Sequence, residues 1–160
     1  MKIAFRKAVL PDELRSLAAF DRKVFTSDHF PPSAWKEYEC YWMLLDNRKI
    51  GCCAFEEHVD FRDDLREDGV NPPRKGSLYI STTGILPRFQ GIGFGTVLKA
   101  SQIAYARYHG FSRIVTNTRE SNAAMIALNR KFHFRILRTT PLYYDDPPDS
   151  TVVMELLLRD

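Results

Sequence analysis

Leu86-Pro87-Arg88-Phe89-Gln90-Gly91-Ile92-Gly93-Phe94-Gly95 is the stretch on which the reading of this chain turns. It follows an apolar run with strand character, Leu78 to Ile85, and opens an amphipathic stretch with helical spacing, Thr96 to Tyr108. Pro87 has no N–H to give to a ladder and so ends the strand. Three glycines at alternate positions let the backbone take positive φ and let a ligand approach with no Cβ in the way. The first N–H groups of the following helix have no partner inside it, and the aligned peptide dipoles leave partial positive charge there. Strand, glycine turn and helix N-terminus together make an anion site, suited above all to phosphate.

Outward from this unit, the chain alternates strand and helix signals. Toward the N-terminus, Lys2–Val9 alternates apolar and polar residues and reads as a strand. Pro11–Phe25 opens with a proline and acids and carries Leu14, Leu17, Ala18, Phe20, Asp21 and Val24 at helical spacing. Ser33 is expected to cap a short helix, Ala34–Glu39, after a loop over Thr26–Pro32. Cys40–Leu45 and Ile50–Glu57 form a hairpin around Asp46-Asn47-Arg48-Lys49. His58–Ser77 is charged and turn-rich, longer than the roughly 12–15 residues beyond which connections in compact domains are uncommon, and reads either as a solvated excursion or as a flap over a substrate site. Toward the C-terminus, Gly110 stops the helix after the glycine turn. A strand, Arg113–Thr118, precedes a helix capped by Ser121 or Asn122, then a strand at Phe134–Thr139, a loop at Pro141–Ser150 and a final strand at Thr151–Leu158. The order β-α-α-β-β-β-α-β-α-β-β predicts a single α/β domain over residues 1–160, one mixed central sheet flanked by helices.

Composition bounds the function. The 160 residues are 44% hydrophobic and 27% charged, ordinary for a globular domain with a real core. No apolar run reaches the length of a signal peptide core or a membrane span, so a cytoplasmic protein with no membrane partner is expected. Cys40, Cys52 and Cys53 offer neither a disulfide framework nor zinc-ligand spacing, and no metal is expected. A net charge of +3, with basic residues scattered among acids, argues against nucleic acid.

Which phosphate the turn takes follows from spacing. A P-loop needs a Lys-Ser/Thr pair after its last glycine, but Thr96-Val97 follows Gly95. A dinucleotide fingerprint needs G-x-G-x-x-G after an early strand, but Gly91, Gly93 and Gly95 alternate and lie past the middle of the chain. Gln90-x-x-Gly93-x-Gly95, after Ile85-Leu86-Pro87, instead resembles the acetyl-CoA motif Q/R-x-x-G-x-G/A of the GNAT superfamily of N-acetyltransferases. Asn117 to Phe134 is similar to that superfamily's second block, an asparagine followed by Ala/Met, Leu and a Lys–hydrophobic–Gly–Phe ending. Two positions depart from the pattern. His133 stands where the closing glycine is usual, so a non-glycine must take the turn, and Asn129 stands where many members have a general-acid tyrosine.

The resemblance implies a GNAT-like acyl-CoA N-acyltransferase fold and direct transfer of acetyl from acetyl-CoA, with no metal, to a primary amine of a small molecule, peptide or protein. It implies an oxyanion donor at the backbone N–H of Ile85 and a pyrophosphate held by N–H groups across Gln90, Gly91, Ile92, Gly93, Phe94, Gly95 and Thr96, with Arg88 adding charge and Asn122 touching the cofactor. An alkyl ammonium has a pKa near about 10.4, so a base must take its proton. Glu56 and Glu57 end the third strand, and only one of two adjacent strand residues can face the site. His58, His29 and Tyr79 are further candidates, and Tyr143 or Tyr144 could supply the proton that Asn129 cannot. Trp35, Trp42 and one of Cys52 and Cys53 read as core, and Lys131 as a helix-end charge or a phosphate contact. An acetyl-CoA-binding sensor or scaffold without catalysis is the alternative, as is an enzyme using another nucleotide. A monomer or homodimer suits either.

Overall fold

The computed structural model describes residues 1–57 and 76–158. His58 and the bulk of the expected flap or excursion lie outside the described residues. The elements are β1 (Ile3–Lys7), α1 (Leu14–Val24), α2 (Pro32–Trp35), β2 (Glu39–Leu45), β3 (Arg48–Glu57), β4 (Ser77–Ile85), a one-turn 3-10 helix (Pro87–Phe89), α3 (Phe94–Tyr108), β5 (Arg113–Arg119), α4 (Ala123–Lys131), β6 (Arg135–Asp145) and β7 (Pro148–Leu157). The seven strands form one mixed sheet in the order β1-β2-β3-β4-β5-β7-β6, with β4 and β5 parallel. The element order is the one the sequence predicts. Packing divides the chain into two compact units, Met1–Glu56 with Ser81–Ala100, and Glu57–Ile80 with Ser101–Asp160.

In the first unit, β1 and β2 pair antiparallel, and β2 and β3 form a hairpin. Asp46 and Asn47 both take positive φ (47° and 65°), the two-residue turn whose twist suits flanking strands and which these residue types tolerate best. Leu14, Leu17, Ala18 and Phe20 of α1 pack with Trp35, Cys40, Trp42, Cys52 and Ala54. Each large side chain so buried contributes roughly 1.5–3 kcal/mol. The first turn of α1 is fixed by Glu13, whose carboxylate accepts from the N–H of Val9 at 2.8 Å and from Arg6 at 2.9 and 3.0 Å, with Lys49 at 3.0 Å. These donors, Arg6 foremost, hold the Glu13 carboxyl well below the usual carboxylate range.

Two expectations need correction here. The short helix starts at Pro32 rather than Ala34, and Ser33 makes no capping bond; proline at the first helical position has no N–H that needs a cap. Cys52 and Cys53 are both buried rather than one, because β3 is interior to the sheet and both its faces are covered.

In the second unit, β5 pairs antiparallel with β7, and β7 with β6. Asn122 caps α4, its Oδ1 accepting from Met125 N–H at 3.1 Å. His133 takes φ 70° after that helix, as its glycine-like position requires. The expected loop at Pro141–Ser150 is largely strand: β6 runs on to Asp145 and turns into β7 at Pro148. Pro141 is tolerated there because β6 is an edge strand and the register slips between Thr140 and Tyr144.

Candidate active site

The glycine turn is built in the first unit from the end of β4. Leu86 N–H donates to the Ile50 carbonyl of β3 at 2.9 Å, so the chain stays on the sheet one residue past Ile85. Phe89 and Gln90 N–H groups then close a tight turn onto the carbonyls of Leu86 and Pro87, at 2.8 and 3.2 Å. The Gln90 side chain folds back, its Nε2 donating to the Ile85 carbonyl at 2.8 Å. Gln90 therefore braces the turn with both its donors, and its backbone N–H is not open to a ligand, in contrast to the expectation drawn from the resemblance.

Gly91 and Gly93 take φ of 74° and 101°, and a Cβ at either would meet nothing within 4 Å. The glycines are demanded by backbone conformation, and the space in front of them is open. α3 begins at Phe94, two residues earlier than its periodicity suggests, so Gly95 and Thr96 lie in its first turn. The first intrahelical bond runs from Val97 N–H to the Gly93 carbonyl, and the N–H groups from Gly91 to Thr96 have no backbone acceptor among the described residues. Phe94 is buried and meets Phe89 edge-on at 5.9 Å, anchoring the start of the helix. Ile92 is 67% exposed, and Arg88 lies exposed over the Phe89 ring at 4.8 Å. A row of open N–H groups at a helix N-terminus, with no Cβ in front of it, fits a phosphorylated ligand.

The two carboxylates differ as their strand alternation predicts. Glu56 is half-buried in the first unit and accepts from Ser81 Oγ of β4 at 3.2 Å, four residues before Ile85. Glu57 is exposed and accepts a short hydrogen bond from Tyr105 of α3. His29 is exposed on the segment after α1.

The second unit holds a polar cluster that sequence reasoning only partly found. The Tyr79 hydroxyl donates to Asn117 Oδ1, and Asn117 Nδ2 reaches Thr151 Oγ1 at 3.0 Å and the Tyr144 hydroxyl at 3.5 Å. The guanidinium of Arg119 stacks over the Tyr144 ring at 4.2 Å. Asn117 and Arg119 are polar residues at alternate positions of a strand whose middle is apolar, and that alternation was the available signal. Tyr143 is 40% exposed, edge-on to Tyr144 at 5.0 Å. Asn129 is fully buried, with its Nδ2 on the Met154 sulfur at 3.7 Å, and Lys131 is exposed. Trp35 and Trp42 are fully buried core, and desolvation pushes the Cys52 thiol far above its ordinary pKa. An inert thiol of this kind is no nucleophile.

Residues 11–134 match the model of the acetyltransferase (GNAT) family. The chain belongs to the GNAT family. Within it, this GNAT chain is similar to a probable N-acetyltransferase named san from Drosophila melanogaster, 32% identical over 92 residues, which are 56% of this chain and 50% of that protein. The match thus spans half the length of that relative. Among solved structures, the GNAT chain resembles the ribosomal-protein-S18-alanine N-acetyltransferase of Escherichia coli (TM-score 0.80, 14% identity, 99% and 96% of the two chains). It also resembles Arabidopsis thaliana NAA60 in complex with acetyl-CoA (TM-score 0.80, 15% identity, 98% and 99% of the two chains). At such identities the structural likeness establishes the GNAT fold, a mixed seven-stranded sheet flanked by helices.

Proposed function

We propose that this GNAT chain is an N-acetyltransferase that moves acetyl from acetyl-CoA directly to a primary amine. The observation that carries the reading is the row of open N–H groups from Gly91 to Thr96, led by two glycines whose Cβ positions face empty space. These groups, with Arg88 beside them, would hold the pyrophosphate of acetyl-CoA, and the bound co-substrate supplies the activated acyl group. Ile85 N–H would donate to the thioester oxygen as negative charge develops there.

Glu56 is the base this reading prefers. It is half-buried, hydrogen-bonded to Ser81 on the strand that ends at Ile85, and able to take the ammonium proton directly or through water. Glu57, exposed and engaged by Tyr105, is the weaker candidate. Asn129 is buried and has no acidic proton, so in this reading the leaving thiolate takes its proton from water; a role for Tyr143 rests on the sequence alone. A role for Asn122 at the cofactor rests on the family resemblance, beside the capping bond it makes to Met125.

The test is release of free thiol from acetyl-CoA across a panel of amines. Peptides with free N-termini head the panel, because the Escherichia coli relative is named for a protein alanine. Turnover with any member supports the reading; binding of acetyl-CoA without turnover across the panel would favour a silent sensor or scaffold.

A further inference from the structure

Asp21 stands on the buried face of α1, among Leu17, Ala18 and Phe20, with 1% of its surface exposed. A carboxylate there costs solvation that an apolar residue would not lose, so its presence calls for a role. Its backbone carbonyl accepts from Phe25 N–H at 2.7 Å, the last bond of the helix, and its Oδ2 accepts from Phe30 N–H at 2.6 Å. One residue therefore clasps both ends of the segment from Phe25 to Phe30. Between those ends, Thr26, Ser27, Asp28 and His29 are exposed. At the far end, Phe30 is held in addition by edge contacts to Trp35 and Tyr38 at 5.8 and 5.7 Å. At the near end, the segment lies against the reacting strand: a Cβ on Gly84 would come within 3.1 Å of Val24 Cγ1 and 3.4 Å of Phe25 Cε2. Gly84 immediately precedes Ile85.

We infer that Asp21 is a positioning residue for the acceptor, fixing the Phe25–Phe30 segment as a wall beside Ile85 along which the amine approaches. The inference rests on the reading of Ile85 as the site of transfer. The second carboxyl oxygen, Oδ1, is buried and accepts no hydrogen bond from the described residues. The side chain's one hydrogen bond among the described residues is therefore the one to the Phe30 amide. A neutral acceptor of the same shape does this work equally well, whereas a side chain too short to reach Phe30 releases the far end of the segment.

The experiment compares Asp21→Asn with Asp21→Ala. Asp21→Ser, polar but too short to reach Phe30, replaces the alanine variant where that does not fold. Amide hydrogen exchange over Phe25–Phe30 is read first, without ligand: protection is expected to stay parental in the asparagine variant and to fall at least tenfold in the short variants. Equal protection in all variants overturns the inference, whether or not an acceptor is known. Steady-state kinetics with tripeptide amides bearing free N-termini, and with spermidine in parallel, then separate KM from kcat. The short variants should raise the KM of the acetylated probe about tenfold, with kcat within a fewfold and acetyl-CoA affinity unchanged, while Asp21→Asn stays near the parent. An unchanged acceptor KM, or an equal loss of acetyl-CoA affinity, overturns the inference. Failure of the parent to bind acetyl-CoA would instead sink the transferase reading, and the exchange result would still decide the clasp.

Discussion

The side-chain amide of Gln90 donates to the carbonyl of Ile85 at 2.8 Å, tying the end of β4 to the turn that follows it. The bond joins the residue expected to polarise the thioester to the turn expected to hold the phosphates. Gln90→Ala should raise the Kd for acetyl-CoA about tenfold while costing stability on the order of 1 kcal/mol, the usual loss for one such bond. Gln90→Arg, which keeps a donor at that reach, should stay near the parent. Calorimetric titration of the two variants checks the pair.

Ile92 sits exposed between the two positive-φ glycines, in a backbone conformation that any residue adopts. Ile92→Glu places a negative charge at the open N–H groups without straining the turn. It should weaken acetyl-CoA binding roughly three- to tenfold at low salt, less at high salt, with Tm close to parental. Valine at Gly93 is a poorer probe, since φ of 101° strains any side chain there before a ligand is considered.

The carboxylates make a paired prediction. Glu56→Gln should lower kcat by about 10²-fold or more at neutral pH, in the range general-base loss produces, and recover in part at high pH as the free amine becomes abundant. Glu57→Gln should leave the profile near parental. Equal profiles for both would remove Glu56 from its role.

Asp21 gives a stability prediction with a definite sign. Burial raises its pKa above the ordinary 3.8, and the Phe30 N–H and the nearby His29 offset this only in part. An acid whose folded pKa is raised stabilises the fold most when protonated, and that contribution is lost as pH rises through the folded value. Asp21→Asn should therefore match the parent in Tm near pH 3 and exceed it by a few degrees at pH 7. Melts at the two pH values check it, with His29→Gln and Cys52→Ser backgrounds controlling for the titratable neighbours that face Asp21.

The element order was legible because α1 and the strands follow simple periods, and because Pro87 and the glycines punctuate the chain where the backbone needs them. The start of α3 was less so: Gly95 has poor helix propensity, yet it lies within the helix because the turn before it fixes the entering direction. The β6–β7 hairpin carries prolines and acids that resemble turn residues in the sequence, whereas pairing along an edge strand accommodates them. In the site, the glycine turn was local in sequence and therefore readable. The Tyr79–Asn117–Thr151 contacts join residues 38 and 34 positions apart, and the Asp21–Phe30 clasp depends on a loop folding back; neither leaves a local pattern.

The central claim is that the turn from Gly91 to Gly95 holds acetyl-CoA. Titration calorimetry of the intact chain with acetyl-CoA, beside ATP and NAD, tests it most directly. Saturable binding of acetyl-CoA in preference to the other two, weakened by Ile92→Glu, is the predicted result. Absence of acetyl-CoA binding at hundreds of micromolar, or binding that Ile92→Glu leaves untouched at low salt, would contradict it.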